Sequence, residues 1–80
     1  MQPEERERLR SDLTRQLMDA LSRIELEPKA AAFVAEFIDN YEFGLAYEIM
    51  TEQLEGKDVP ADAAASLKAA AIMMDLKNSN

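Results

Sequence analysis

The chain has 80 residues, of which 48% are hydrophobic and 31% charged, a composition that predicts one small globular domain rather than a disordered chain. Sixteen acidic residues against nine basic ones leave a net charge of −7, which argues against nucleic-acid phosphate or an anionic membrane as partner. The chain has no Cys and no His, so disulfides, thiolate metal sites, Cys nucleophiles and the usual general base near neutral pH are excluded.

The hydrophobic period is helical throughout. Leu9, Leu13, Leu17, Leu21 and Ile24 recur every three or four residues and predict a first helix from about Pro3 to Ile24, with one apolar stripe. Pro3 suits its first turn, and Glu4, Glu5 and Glu7 suit the positive end of the helix dipole. Four pairs of opposite charge four residues apart (Glu4–Arg8, Arg8–Asp12, Arg15–Asp19 and Asp19–Arg23) fit a solvated supporting face.

Pro28 opens a second helix, to about Asp39, with Ala30, Phe33, Val34, Phe37 and Ile38 expected inward. Asp39 with Glu42 three residues later resembles a capping box and predicts a third helix from about Tyr41 to Glu55. On it Leu45, Ala46, Ile49, Met50 and Gln53 are expected inward, and Glu42 is expected as a cap. Gly56 stands where a left-handed helix end is needed. After a loop at 57–60, Asp62 is expected to cap a fourth helix running to about Leu76, followed by a frayed 78–80 tail. Seven alanines between Ala61 and Ala71 favour that helix and permit close approach by another. The expected fold is all-α, a compact four-helix bundle with short loops spanning 1–80.

The longest apolar runs, Ala30 to Ala35 and Ala69 to Met74, are six residues each, against roughly 20 for a membrane span. The first ten residues mix acid and base and do not resemble a secretion signal, so a cytoplasmic protein is expected.

Charge is unevenly placed. Residues 36–62 hold eight carboxylates against Lys57 alone, a balance of −7 that equals the net charge of the whole chain. Glu48, Glu52 and Glu55 follow one another at spacings of four and three, so like charges face each other with no base on that helix. Two readings stay open: a solvated acidic face, or a surface made for a basic partner that relieves the repulsion on binding. Asp58 extends the segment, and Tyr41 and Tyr47 flank it either as interface residues or as rings packed on the core rim. Met18, Met50, Met73 and Met74 fit core filler, or an adaptable docking surface.

Candidate catalytic constellations are missing. No His accompanies Ser11, Ser22, Ser66 or Ser79, and Ser66 and Lys68 are two residues apart, which on a helix keeps them from facing each other. Two glycines cannot build a phosphate-binding loop, and the calcium-loop spacing is absent. No catalytic, cofactor-binding or metal-binding residue is assigned, and a non-enzymatic binding protein is expected.

The run Asp39-Asn40-Tyr41-Glu42-Phe43-Gly44-Leu45-Ala46-Tyr47-Glu48-Ile49, followed by Gln53-Leu54, resembles the Maf-type immunity proteins of bacterial polymorphic toxin systems. Glu42, Gly44, Leu45, Ala46, Glu48, Leu54 and Pro60 stand where that pattern expects them, whereas Tyr41 replaces a residue that is usually small or basic. The resemblance covers residues 36–62 well and the last helix loosely. It implies a small cytoplasmic protein, without cofactor, that neutralises the toxic C-terminal domain of a secreted toxin, often a nuclease. Under that reading the partner is a toxin domain with basic surface, and Glu48, Glu52, Glu55, Asp58, Tyr41 and Tyr47 are the candidate contacts. The chain is then expected to be a monomer or weak dimer. A helical adaptor or regulatory subunit, docking a protein or self-associating through the fourth helix, is the alternative.

Overall fold

The computed structural model describes residues 2–78, and these form a four-helix bundle: α1 (Pro3–Arg23), α2 (Pro28–Asp39), α3 (Phe43–Gln53) and α4 (Ala61–Asn78). The bundle measures 38 × 23 × 17 Å. Its long dimension follows from α1, whose 21 residues at about 1.5 Å each reach roughly 31 Å. Among the described residues no helix is long and apolar enough to cross a membrane.

Two antiparallel pairs build the bundle. α1 packs most extensively on α4, α2 packs on α3, and the pairs stack face to face with α2 and α4 out of contact. The core lies between the pairs. Leu13 and Leu17 of α1, Val34 and Ile38 of α2, Met50 of α3 and Ala70 of α4 are fully or almost fully buried in it. Ala20, Ala63 and Ala70 are all completely buried, and their small side chains allow the close α1–α4 approach.

Prolines start the first two helices as the sequence predicts, each in the first turn, where a missing N–H costs nothing. α1 ends one residue before Ile24, which turns extended. The expected Asp39 capping box does not form. Asp39 closes α2 instead, and a tight turn follows. The Glu42 N–H donates to the Phe37 carbonyl at 2.8 Å and the Tyr41 N–H to the Ile38 carbonyl at 3.1 Å, the double bond of a Schellman ending. Tyr41 occupies its left-handed position at φ 60°. α3 therefore begins at Phe43 rather than Tyr41, with Glu42 at the N-cap position, exposed and making no side-chain cap bond.

α3 is also shorter at its far end, stopping at Gln53, and its closing turn runs to Gly56 at φ 76°. α4 starts at Ala61, one residue before the expected cap, because the Pro60 carbonyl already accepts the first helical bond from Ala64 at 2.9 Å. Asp62 thus lies in the first turn of α4 and its carboxylate reaches Arg23 at 3.3 Å. α4 continues to Asn78, beyond the predicted end, and the last two residues of the expected tail, Ser79 and Asn80, lie outside the described residues.

Two expected inward positions are corrected. Phe33 is 53% exposed and Leu45 is 47% exposed. Only the centre of each stripe is buried outright, Val34 and Ile38 on α2 and Phe43, Ala46 and Met50 on α3, while Phe37 and Ile49 pack against the core half-buried. Of the four charge pairs expected on α1, only Asp19–Arg23 forms among the described residues, at 3.1 Å, while Arg15 turns back to Asp12 at 3.1 Å.

Candidate partner-binding surface

Helical periodicity and the two pair interfaces decide where each candidate residue points. α3 turns Phe43, Ala46 and Met50 inward, which sends Glu48 and Glu52 to the outer side, both exposed. Glu55 is exposed as well, but it stands past the end of α3, in the turn where its N–H donates to the Glu52 carbonyl at 3.3 Å. Glu48, Glu52 and Glu55 thus follow one edge of α3 and its closing turn.

Asp58, Tyr41 and Tyr47 lie elsewhere. Asp58 borders a separate recess of about 420 Å³ beside Arg23, Ile24 and Glu25 at the end of α1. Tyr47 is half-buried, packed against the core, and lines an apolar groove of about 400 Å³ with Leu54, Val59 and Leu67. It serves the core rim and the α3–α4 seam. Tyr41, 53% exposed, faces α1 across an open groove of about 650 Å³ that also holds Arg10, Thr14 and Met18. The Arg10 guanidinium sits 5.0 Å from the centre of the Tyr41 ring, and Phe43 lies at 5.9 Å on the same turn. The six candidates accordingly form one acidic edge and three separate positions.

The electrostatics of residues 36–62 are one-sided. Glu36, Asp39, Glu42, Glu48, Glu52, Glu55, Asp58 and Asp62 are all exposed. Among the described residues only Asp62 has a basic side chain within salt-bridge distance, that of Arg23. The other seven have no basic side chain within salt-bridge distance, although Asp39 shares its groove with Arg10 and Arg15, and no group of three or more carboxylates among the described residues converges on a metal-sized point.

A contrasting arrangement joins α1 to α4. Asp19 accepts from the Ser66 hydroxyl at 2.6 Å and from the Arg23 guanidinium at 3.1 Å. The Ser66 bond first, and then the Arg23 bond, hold the Asp19 carboxyl below its usual range, and Asp19 raises Arg23 in return. A carboxylate stabilised as an anion is a weak base, so the Ser66–Asp19 contact acts as a clamp between helices.

The expectation from spacing missed Phe33 and Leu45 as surface groups. Its signal was the width of the apolar stripe on α2, where Phe33 and Ile38 stand about 140° apart around the helix, wider than one neighbour covers. Comparison with known protein families, curated proteins and solved structures returns no match.

Proposed function

We propose that this protein is an immunity protein, which binds a cognate secreted bacterial toxin domain stoichiometrically and neutralises it through an acidic surface centred on α3. The observation that carries the reading is the set of eight exposed carboxylates in residues 36–62, seven of them without a basic partner among the described residues. Such a surface is destabilised by its own repulsion until a basic partner supplies the missing charge. A nuclease domain is the fitting partner, since it must present basic surface to phosphates. The resemblance of residues 36–62 to Maf-type immunity proteins points the same way. Neutralisation of this kind needs no catalytic group, cofactor or metal, and takes place in the cytoplasm, where an imported nuclease meets its substrate.

Growth rescue tests it. The chain is co-expressed with the toxic C-terminal domain encoded immediately upstream, and the two are co-purified. Restored growth with a one-to-one complex supports the reading; a domain that kills regardless and leaves the chain unbound overturns it.

A second reading has its own observation. Ile72 is 55% exposed on the outer side of α4, where Ala64, Ala65 and Lys68 are also exposed. This side lacks the acidic excess of α3 and suits an adaptor or a self-associating subunit. Light scattering that finds a tight dimer, lost in Ile72→Glu, would favour it.

A further inference from the structure

The outer side of the α2–α3 hairpin combines the two ingredients of a protein-binding hot spot. The bond from the Glu42 N–H to the Phe37 carbonyl fixes the turn that brings α3 back to pack along α2. Phe37 and Ile49 are half-buried against the core, while Phe33 and Leu45 remain 53% and 47% exposed. Phe33 and Phe37 stand one turn apart on α2, as Leu45 and Ile49 do on α3, so the two packed helices carry apolar strips that together form a seam whose outer members, Phe33 and Leu45, are open to solvent. Its borders are acidic: Glu36 beside Phe33 on α2, and Glu48 and Glu52 beside Leu45 and Ile49 on α3, all exposed and without a basic partner among the described residues.

Charge selects the occupant. A second copy would set acidic rim against acidic rim, and nucleic acid carries the same sign as the rim. A protein that presents an apolar side chain ringed by Lys and Arg satisfies both the seam and its borders. We infer that Phe33 and Leu45 are the anchor of the toxin-binding surface, taking up such a side chain, while Glu36, Glu48 and Glu52 orient its basic surroundings. This rests on the immunity reading and adds to it the centre of the interface and the chemistry of the partner. Desolvated apolar anchors govern how long a complex lasts, whereas rim charges govern how fast it forms.

The test measures association and dissociation rates of the purified upstream-encoded toxin domain with wild type, Phe33→Ser, Leu45→Ser and Ile72→Ser, each first checked for unchanged helicity by circular dichroism. The expected result is faster dissociation and at least about tenfold weaker binding for Phe33→Ser and Leu45→Ser, with association little changed. Ile72→Ser, equally exposed but on α4, is expected to bind as wild type does. Should either seam variant misfold, Phe33→Leu and Leu45→Ala give the same comparison with a smaller effect. Seam variants that bind within twofold of wild type overturn this inference and leave the immunity reading standing. A wild-type chain that does not bind the domain at all overturns both.

Discussion

The Ser66 hydroxyl donates to the Asp19 carboxylate at 2.6 Å, joining two residues 47 positions apart in the chain and closing α4 onto α1. Ser66 is the one buried polar residue among those described, and this bond satisfies it. Removing the hydroxyl by Ser66→Ala leaves Asp19 with Arg23 alone among these partners. A loss of about 1 kcal/mol is expected, typical for one intramolecular hydrogen bond. At roughly 4–8 °C per kcal/mol for a domain of this size, a thermal melt resolves it. An unchanged midpoint would show that the bond contributes nothing net.

The same contact gives stability a pH dependence of known sign. Asp19 is held below its usual range in the folded chain by Ser66 and Arg23, and the unfolded chain lacks both. The unfolded state therefore binds the proton more readily. The contribution of Asp19 is complete above the ordinary carboxylate pKa and is lost as pH falls through the depressed folded value. Melting curves of wild type and Asp19→Asn should differ most near neutrality and converge in acid. Curves that run parallel down to acid would refute the assignment.

Tyr41 and Gly56 both hold left-handed backbone in the turns that follow α2 and α3, with φ of 60° and 76°. Left-handed backbone costs an ordinary residue about 1–2 kcal/mol, and glycine avoids this cost. At Gly56 an added Cβ meets nothing within 4 Å, so Gly56→Ala is expected to cost about 1 kcal/mol through conformation alone, and Gly56→Asn less. Tyr41 differs because its ring interacts with Arg10 and Phe43. Those two contacts together are worth about 1–2 kcal/mol, as much as the backbone strain. Tyr41→Gly is accordingly expected to change stability by less than about 0.5 kcal/mol. A double-mutant cycle with Arg10→Ala should return a coupling of about 0.5 kcal/mol, and zero coupling would remove the cation–π contribution.

Legibility in the sequence followed the strength of the local signal. Pro3 and Pro28 mark their helix starts because each has a restricted backbone, Gly56 takes the expected left-handed backbone although α3 itself stops at Gln53, and the leucine stripe of α1 names its buried face. The α2–α3 turn was hidden, since a tyrosine in the left-handed position gives no such mark. Burial at the stripe edges was hidden for another reason. Periodicity assigns a face, but the neighbouring helices decide how much of it is covered, so Met50 and Leu45 looked alike from spacing. In the structure Met50 is completely buried and Leu45 is half in solvent. Met50→Ala should cost about 2–5 kcal/mol, a large share of the stability of so small a domain, and Leu45→Ala no more than about 0.5. Equal losses in chemical denaturation would contradict the assigned packing. The acidic edge was legible from spacing alone, whereas its separation from Tyr41, Tyr47 and Asp58 needed the positions of α1 and α4.

Glu48 and Glu52 provide the sharpest separation of folding from function. They stand one turn apart on α3, exposed, with no basic residue on that helix. Replacing Glu52 by Lys converts a like-charge pair four residues apart into an attractive one with the negative residue first, the better orientation, and stability should rise by a few tenths of a kcal/mol. Under the proposed function, binding to a toxin domain should move the opposite way. A lysine there repels a basic partner, so association is expected to slow by about tenfold at low salt, with a shallower dependence on ionic strength and a small change in dissociation. Glu48→Lys is predicted to slow association alike but to gain less stability, since its lysine then precedes Glu52, and the double variant to act more strongly on rate but without the stability gain, because two lysines then repel each other. Stopped-flow association across a salt series, alongside thermal melts, reads both effects. A variant that is more stable and slower to bind identifies these carboxylates as kept for a partner; association unchanged at every salt concentration would leave them as a solvated face.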